Sequence, residues 1–168
     1  MKKTLPILMS FGLLFSANLK NEAISFPSTV ISSEGNKINV GKLTAGSTVI
    51  IITIKSPSCP VCQTQLIRIG KQLDTFNKCI VTFLVLSPGA SKEVHQVKLN
   101  TGFPFPFIPD DDLSIAKELG LLLNPQQILP SLIVLNDDLT INWIQKGRNS
   151  IYLGDDELYD YLDCDNWI

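Results

Sequence analysis

The spacing of hydrophobic residues changes from one segment of the chain to the next, and each pattern predicts a different element. Residues 24–40 alternate around Gly35 and Asn36, which predicts a short β-hairpin. Residues 48–54 form an apolar run rich in β-branched side chains, which is typical of a strand buried on both faces. A helix is predicted next, because apolar side chains then recur every three or four residues, at Cys62, Leu66, Ile69, Leu73 and Phe76.

The rest of the chain predicts further strands and helices. A strand at 80–86 and a helix at 91–100, capped by Ser91, complete a strand–helix–strand–helix order. The prolines within 103–107 exclude a helix and predict an irregular edge segment. The remaining predicted elements are a helix at 113–119 capped by Asp112, an antiparallel hairpin of 131–135 and 139–145, and a closing helix at 155–162. Crossovers of this kind place helices on both faces of a mixed sheet.

Length and composition indicate one globular domain, which we assign to residues 24–168. The chain has 168 residues, of which 45% are hydrophobic and 18% charged, enough to bury a sizeable core. Its net charge of -2 provides no basic surface for a phosphate backbone, so a nucleic-acid partner is not expected. The acidic residues that follow Arg148 are interpreted as a solvated helix face.

Residues 1–20 resemble an export signal. Lys2 and Lys3 precede an apolar run over 5–15. This run is shorter than the roughly 18 to 20 residues that span a bilayer, so no stable membrane span is expected. Export or a periplasmic location is therefore predicted. The alternative is a cytoplasmic protein whose N-terminal helix or strand packs on the domain.

Cys59 and Cys62 stand where the predicted buried strand gives way to the predicted helix. Pro60 suits the first helical position, where a missing amide hydrogen costs nothing. Free backbone N–H groups at a helix N-terminus favour a thiolate, so we expect the pKa of Cys59 to be lowered. The sequence therefore predicts a redox-active disulfide in which Cys59 is the nucleophile and Cys62 resolves the mixed disulfide.

Other functions for the cysteines compete with this redox hypothesis. A zinc site would need two further ligands, and the candidates Cys79, Cys164 and His95 show no second paired spacing. No metal or organic cofactor is expected. Cys79 is predicted to lie in the core, and Cys164 to be an ordinary tail cysteine or a distant resolving thiol. Two inert thiols in a redox-inactive domain are a further alternative.

Four motifs carry a resemblance to a known group of proteins: SPSCPVCQTQL after a hydrophobic strand, FPFIPDDD, LPS before a strand, and KGR after the hairpin. Over about residues 24–163 the chain resembles the thioredoxin-like superfamily. It is most similar to peroxiredoxin-like proteins of the alkyl hydroperoxide reductase and thiol-specific antioxidant group, and nearly as similar to exported thioredoxin-like oxidoreductases. The resemblance implies a thioredoxin fold with an N-terminal β extension. It also implies a cis-proline at Pro130, which with Leu129 and Pro60 would bind substrate beside the cysteine pair.

One departure from the peroxiredoxin motif P-x-x-x-T-x-x-C bears on the reaction. Its proline falls on Lys55, its threonine on Cys59 and its peroxidatic cysteine on Cys62. Two of these three positions differ, which weakens peroxidase activity and favours dithiol exchange. Arg148 is the candidate for the positive charge that peroxiredoxins place near their sulfur.

The leading hypothesis is a thiol–disulfide oxidoreductase that acts on a protein disulfide. The first alternative is a thiol peroxidase in which the same cysteine pair reduces a peroxide and a thiol donor restores it. The second alternative is a redox-inactive binding module with a thioredoxin fold.

Overall fold

The structure, a computed structural model, describes residues 24–76, 79–147 and 155–164. Its elements run in the order β1 (Thr29–Ile31), β2 (Lys37–Asn39), α1 (Val40–Thr44), β3 (Thr48–Thr53), α2 (Pro60–Lys71), α3 (Leu73–Phe76), β4 (Val81–Pro88), α4 (Ser91–Thr101), β5 (Phe107–Asp110), α5 (Ser114–Glu118), β6 (Leu122–Asn124), β7 (Gln127–Ile128), β8 (Ser131–Leu135), β9 (Ile141–Lys146) and α6 (Asp155–Leu162).

The central sheet has the strand order β5-β4-β3-β8-β9. Strand β4 runs parallel to β3 and β5, whereas β8 runs antiparallel to β3 and β9. The sheet is therefore mixed, as predicted. Its central strand is β3, whose β-branched run is buried on both faces. Strands β1 and β2 form the predicted N-terminal hairpin, and Gly35 (φ 82°) occupies the left-handed turn position that glycine adopts without a steric penalty.

Each face of the sheet carries a hydrophobic core. Successive side chains of a strand point to opposite faces, so Ile50 and Ile52 of β3 enter one core and Val49 and Ile51 the other. Helices α2, α4 and α6 cover the first core, and α1 and α5 cover the second. Their buried contributions include Leu66, Val94 and Leu158 in the first core, and Val40 and Ala116 in the second. The prediction of helices on both faces is confirmed.

Several element boundaries differ from the predictions. The helix predicted through Phe76 ends at Lys71, and a separate turn of helix, α3, follows Gln72. The proline-rich segment leads into β5 at the sheet edge, as expected. The hairpin of β6 and β7 was not predicted, because strands of three and two residues are too short to show a period. The predicted Ser91 cap is wrong, since Ala90 precedes α4 and no side chain caps that helix.

Asp110, and not Asp112, supplies the main cap of α5. Its carboxylate accepts hydrogen bonds from Ile115 N–H (3.1 Å) and Ala116 N–H (2.8 Å), whereas Asp112 accepts one from Ser114 N–H (3.1 Å). Asp110 is the last residue of β5, so the preceding strand and not the adjacent loop positions the cap. The sequence pattern around the helix did not predict that a carboxylate five and six residues before these N–H groups would accept from them.

Burial raises the pKa of Asp110 above its ordinary value of 3.8, because desolvation outweighs the two backbone donors. The unfolded chain then loses this proton at a lower pH than the folded protein. The Asp110 contribution to stability should therefore fall as the pH rises from about 4 through the raised pKa. We expect the free energy of unfolding of Asp110→Asn, minus that of the wild type, to increase as the pH rises over this range. Urea unfolding of both proteins from pH 3.5 to 7 measures the difference, and a difference independent of pH would contradict the assignment.

Candidate active site

Cys59 and Cys62 form a disulfide at the start of α2, with their Cα atoms 5.4 Å apart. This separation lies within the range of about 4.4 to 6.8 Å that a disulfide requires. Cys59 is the N-cap residue of α2 and Pro60 is its first residue. The predicted disulfide and the predicted helix start are both confirmed.

Each sulfur of this disulfide accepts a hydrogen bond from a backbone N–H. Cys62 N–H donates to Cys59 Sγ at 3.3 Å, and Lys55 N–H donates to Cys62 Sγ at 3.4 Å. Lys55 lies just beyond β3, so the end of the central strand and the start of the helix each supply one donor. Amide hydrogens directed at sulfur stabilise a thiolate more than a thiol. The arrangement can therefore stabilise either sulfur when the disulfide opens.

Cys59 is the more accessible of the two sulfur-bearing residues. It is 8% exposed and Cys62 is 3% exposed, and both residues belong to the core under α2. The turn around Cys59 presents the exposed residues Pro60 and Val61 to solvent. Gln63 Nε2 donates to the Pro57 carbonyl oxygen at 2.8 Å and holds the preceding loop against the helix. An incoming group therefore meets Cys59 before Cys62.

Two clefts border the loop that precedes Cys59, and Pro57 and Glu93 line both. The larger has a volume of about 590 Å³ and is also lined by Gln63 and Gln96. The smaller has a volume of about 400 Å³ and extends to Asp111. They offer concave surface beside the exposed turn of the cysteine pair.

Leu129 and Pro130 lie at the same end of the sheet as the cysteine pair. Ser131 is paired with Thr53, and Thr53 Oγ1 donates to the Leu129 carbonyl oxygen at 2.6 Å. Ile128 N–H donates to the carbonyl oxygen of Lys55, the residue whose N–H reaches Cys62. The segment is thereby fixed beside the end of β3. A substrate-binding role for Leu129, Pro130 and Pro60 stays a prediction.

The predicted cis-proline is wrong. The described chain contains no cis peptide bond, so Leu129 and Pro130 are joined by a trans bond. Leu129 N–H donates to the Leu121 carbonyl oxygen, and the Pro130 carbonyl oxygen accepts from Gly147 N–H, each at 2.7 Å. These bonds hold the segment as a trans extension of β8, the isomer that is ordinarily favoured by about 0.5–1 kcal/mol.

Cys164 lies apart from the cysteine pair and forms a disulfide with Cys79, with a Cα–Cα distance of 5.2 Å. Cys79 is buried in the core, as predicted, but the bond to Cys164 was not predicted. Their separation of 85 residues means that this disulfide stabilises the fold by about 4.6 kcal/mol in the chain-entropy description. The available sequence signal was the even number of cysteines, which does not identify partners.

Arg148 lies outside the described residues, so its proposed charge near the sulfur stays a prediction. Within the described ranges, no group of three or more His, Cys, Asp or Glu residues could hold a metal ion. Among the helices of the same ranges, none has the length and apolar character needed to cross a membrane.

The mixed sheet, the helices on both of its faces and the disulfide at the start of α2 define a protein with a thioredoxin fold. The chain matches the AhpC/TSA family over residues 19–144 and belongs to that family. A peroxiredoxin of Hyperthermus butylicus is 27% identical over 103 residues, which cover 58% of this chain and 44% of that protein. The chain therefore matches less than half the length of this curated relative.

Solved structures confirm the predicted fold. A cysteine-to-serine mutant of peroxiredoxin Q from Xanthomonas campestris superimposes with a TM-score of 0.69 at 18% identity, covering 85% of this chain and 98% of that one. A secreted disulfide oxidoreductase of Mycobacterium tuberculosis, homologous to E. coli DsbE, superimposes with a TM-score of 0.63 at 16% identity, covering 80% and 93%. Both classes of protein to which the sequence pointed share this fold.

Proposed function

We propose that this protein is a thiol–disulfide oxidoreductase in which Cys59 and Cys62 exchange electrons with a protein disulfide. The observation that carries the proposal is the disulfide at the start of α2, where a backbone N–H donates to each sulfur. Such donors support thiolate chemistry at both positions, as a two-step exchange requires.

The exchange begins when the Cys59 thiolate attacks one sulfur of the partner disulfide. A mixed disulfide forms, and the other partner sulfur leaves as a thiolate that takes a proton. The Cys62 thiolate, facing Lys55 N–H, then attacks Cys59 Sγ and releases the second partner sulfur. Overall, two electrons and two protons pass from the cysteine pair to the partner, and the Cys59–Cys62 disulfide forms. The reverse sequence oxidises a partner dithiol.

The surface around Cys59 supports a protein as the partner. Pro60 and Val61 are exposed next to the sulfur, and Val61 is 46% exposed. The two clefts at Pro57 and Glu93 provide room for residues that flank a partner cysteine. Leu129 and Pro130, held at the end of β3, are proposed to contact the partner from the other side.

The second candidate function is a thiol peroxidase, which family membership and the Lys55 N–H contact with Cys62 favour. In that reaction the Cys62 thiolate attacks a peroxide oxygen, becomes a sulfenic acid and releases water or an alcohol. The Cys59 thiol condenses with the sulfenic acid, which forms the disulfide and releases water. A thiol donor then reduces the disulfide. This candidate ranks second because Cys59 stands where peroxiredoxins have a threonine.

Two assays with the same electron donor separate these functions. The purified protein is supplied with dithiothreitol and either an oxidised protein such as insulin or hydrogen peroxide, and initial rates are measured. We expect faster reduction of the protein disulfide and little acceleration of peroxide consumption. The Cys59→Ser/Cys62→Ser double variant is the matched control. Peroxide consumption that depends on the pair would promote the peroxidase function, and inactivity in both assays would support a redox-inactive binding module.

A further inference from the structure

The Cys79–Cys164 disulfide lies at the opposite end of the sheet from Cys59–Cys62. Cys79 precedes β4, whereas the Cys59–Cys62 pair follows β3. These strands are parallel and in register from Thr48 paired with Val81 to Thr53 paired with Leu86. The length of β3 therefore separates the two disulfides by about 16 Å. Direct thiol–disulfide exchange between them is excluded in this fold, so each disulfide must be opened and closed independently of the other.

The surroundings of Cys79 oppose opening of its disulfide. Cys79 is 1% exposed, which leaves the half-buried Cys164 as the sulfur that a reductant can approach. Attack on Cys164 would expel Cys79 as a thiolate into the core. Cys79 Sγ faces the Leu162 carbonyl oxygen at 3.9 Å, and both burial and a carbonyl dipole disfavour a negative charge. At Cys59–Cys62, by contrast, a backbone N–H meets whichever sulfur leaves.

The same disulfide attaches α6 to the part of the fold that carries α2. Tyr159 of α6 stacks on Phe76 with ring centroids 4.5 Å apart, and its hydroxyl contacts Gln72 Oε1 at 2.8 Å. Gln72 is the C-cap residue of α2. Leu158 and Leu162 are buried in the core that also holds Cys62. The Cys79–Cys164 bond thus fixes the element that covers the far end of α2.

We infer that Cys79–Cys164 is a structural disulfide that stays closed while Cys59–Cys62 is reduced and reoxidised, and that the protein works in an oxidising compartment. The bond forms by exchange with a disulfide donor: the two thiols lose two electrons and two protons, and the donor becomes a dithiol. Cytosolic reductants keep such long-range thiol pairs reduced, whereas exported proteins retain them as disulfides. The export predicted from residues 1–20 would likewise carry the protein out of the reducing cytosol and into an oxidising compartment.

A redox titration of the oxidised full-length protein tests the difference between the two disulfides. The protein is equilibrated with graded ratios of reduced to oxidised dithiothreitol, alkylated, and mapped by mass spectrometry. We expect Cys79–Cys164 to open only at a ratio at least a hundredfold higher than Cys59–Cys62. This readout needs no substrate, so it stands apart from any failure of the proposed exchange activity. Opening of both disulfides at one ratio, or of Cys79–Cys164 first, would overturn the inference.

Paired double variants test the structural role. Cys79→Ser/Cys164→Ser should lower the Tm by roughly 10 °C, because a long loop is no longer closed. Cys59→Ser/Cys62→Ser removes a bond across only two intervening residues and should lower the Tm less. Equal shifts would contradict a special role for the long-range bond. If the first variant does not fold, the titration of the wild-type protein still decides the question.

The compartment is tested in the cells that produce the protein. Acid quenching followed by alkylation records the state of each cysteine before it can change. We expect Cys79 and Cys164 to be oxidised in essentially every molecule, whatever the state of Cys59 and Cys62. A population in which Cys79 and Cys164 are mostly thiols would overturn the assignment to an oxidising compartment.

Discussion

Replacing Cys59 by serine should lower the rate of protein disulfide reduction at least about a thousandfold, because a serine hydroxyl without a general base is not a nucleophile at neutral pH. Cys62→Ser should also stop turnover, but only after the first step. Cys59 then forms a mixed disulfide with the partner, and the missing Cys62 thiol cannot release it. Initial rates with an oxidised protein substrate measure the loss, and mass spectrometry of the trapped adduct identifies the attacking sulfur.

The two variants also decide between two arguments about the nucleophile. Cys59 is favoured because it lies at the helix start and is 8% exposed, against 3% for Cys62. The family motif instead places the peroxidatic sulfur at Cys62. Because each sulfur accepts one backbone N–H, the hydrogen bonds alone do not separate them. A mixed disulfide carried by Cys62 in the Cys59→Ser protein, at a rate near that of Cys62→Ser, would assign the first attack to Cys62. Treatment of Cys59→Ser with hydrogen peroxide then tests whether Cys62 becomes a sulfenic acid.

Local patterns sufficed for the elements that carry the cysteine pair. The β-branched run of β3 can be satisfied only by burial on both faces, and the apolar spacing after Pro60 defines one face of a helix. The site at their junction follows from chain order, because a short connection between a strand and the next helix brings the amides after the strand to the helix start. The contact between Lys55 N–H and Cys62 Sγ is a detail of that junction which the pattern did not predict.

Features that depend on distant parts of the chain were not predictable in this way. Asp110 caps α5 because the end of β5 brings its carboxylate to two free amides, whereas the sequence pattern predicted Asp112 as the cap because it is nearer to the helix. The bond between Cys79 and Cys164 exists only once α6 has folded onto the start of β4. The isomer of the bond before Pro130 was inferred from resemblance, and the backbone bonds of this chain hold the trans form.

The proline-rich segment at 103–107 illustrates the same distinction between local pattern and tertiary packing. Its prolines correctly predicted an edge position, but its phenylalanines form part of the core. Phe83, which is 1% exposed on β4, lies at the centre of this packing. Its ring centroid is 5.2 Å from those of Phe76 and Phe105 and 5.9 Å from that of Phe103. All three pairs are edge-to-face, an arrangement that stabilises beyond simple burial.

Phe83→Ala should therefore lower the free energy of unfolding by about 3–5 kcal/mol, through lost burial, a residual cavity and lost ring contacts. For a protein of this size the Tm should fall by roughly 10 °C. Urea and thermal unfolding with both disulfides intact measure these changes. Phe105→Ala, at a half-buried position of the same cluster, is the matched control and should lower the free energy of unfolding by less. A loss from Phe83→Ala no larger than that of the control would show that the rings do not form a tightly packed centre, since a collapsible site leaves little cavity behind.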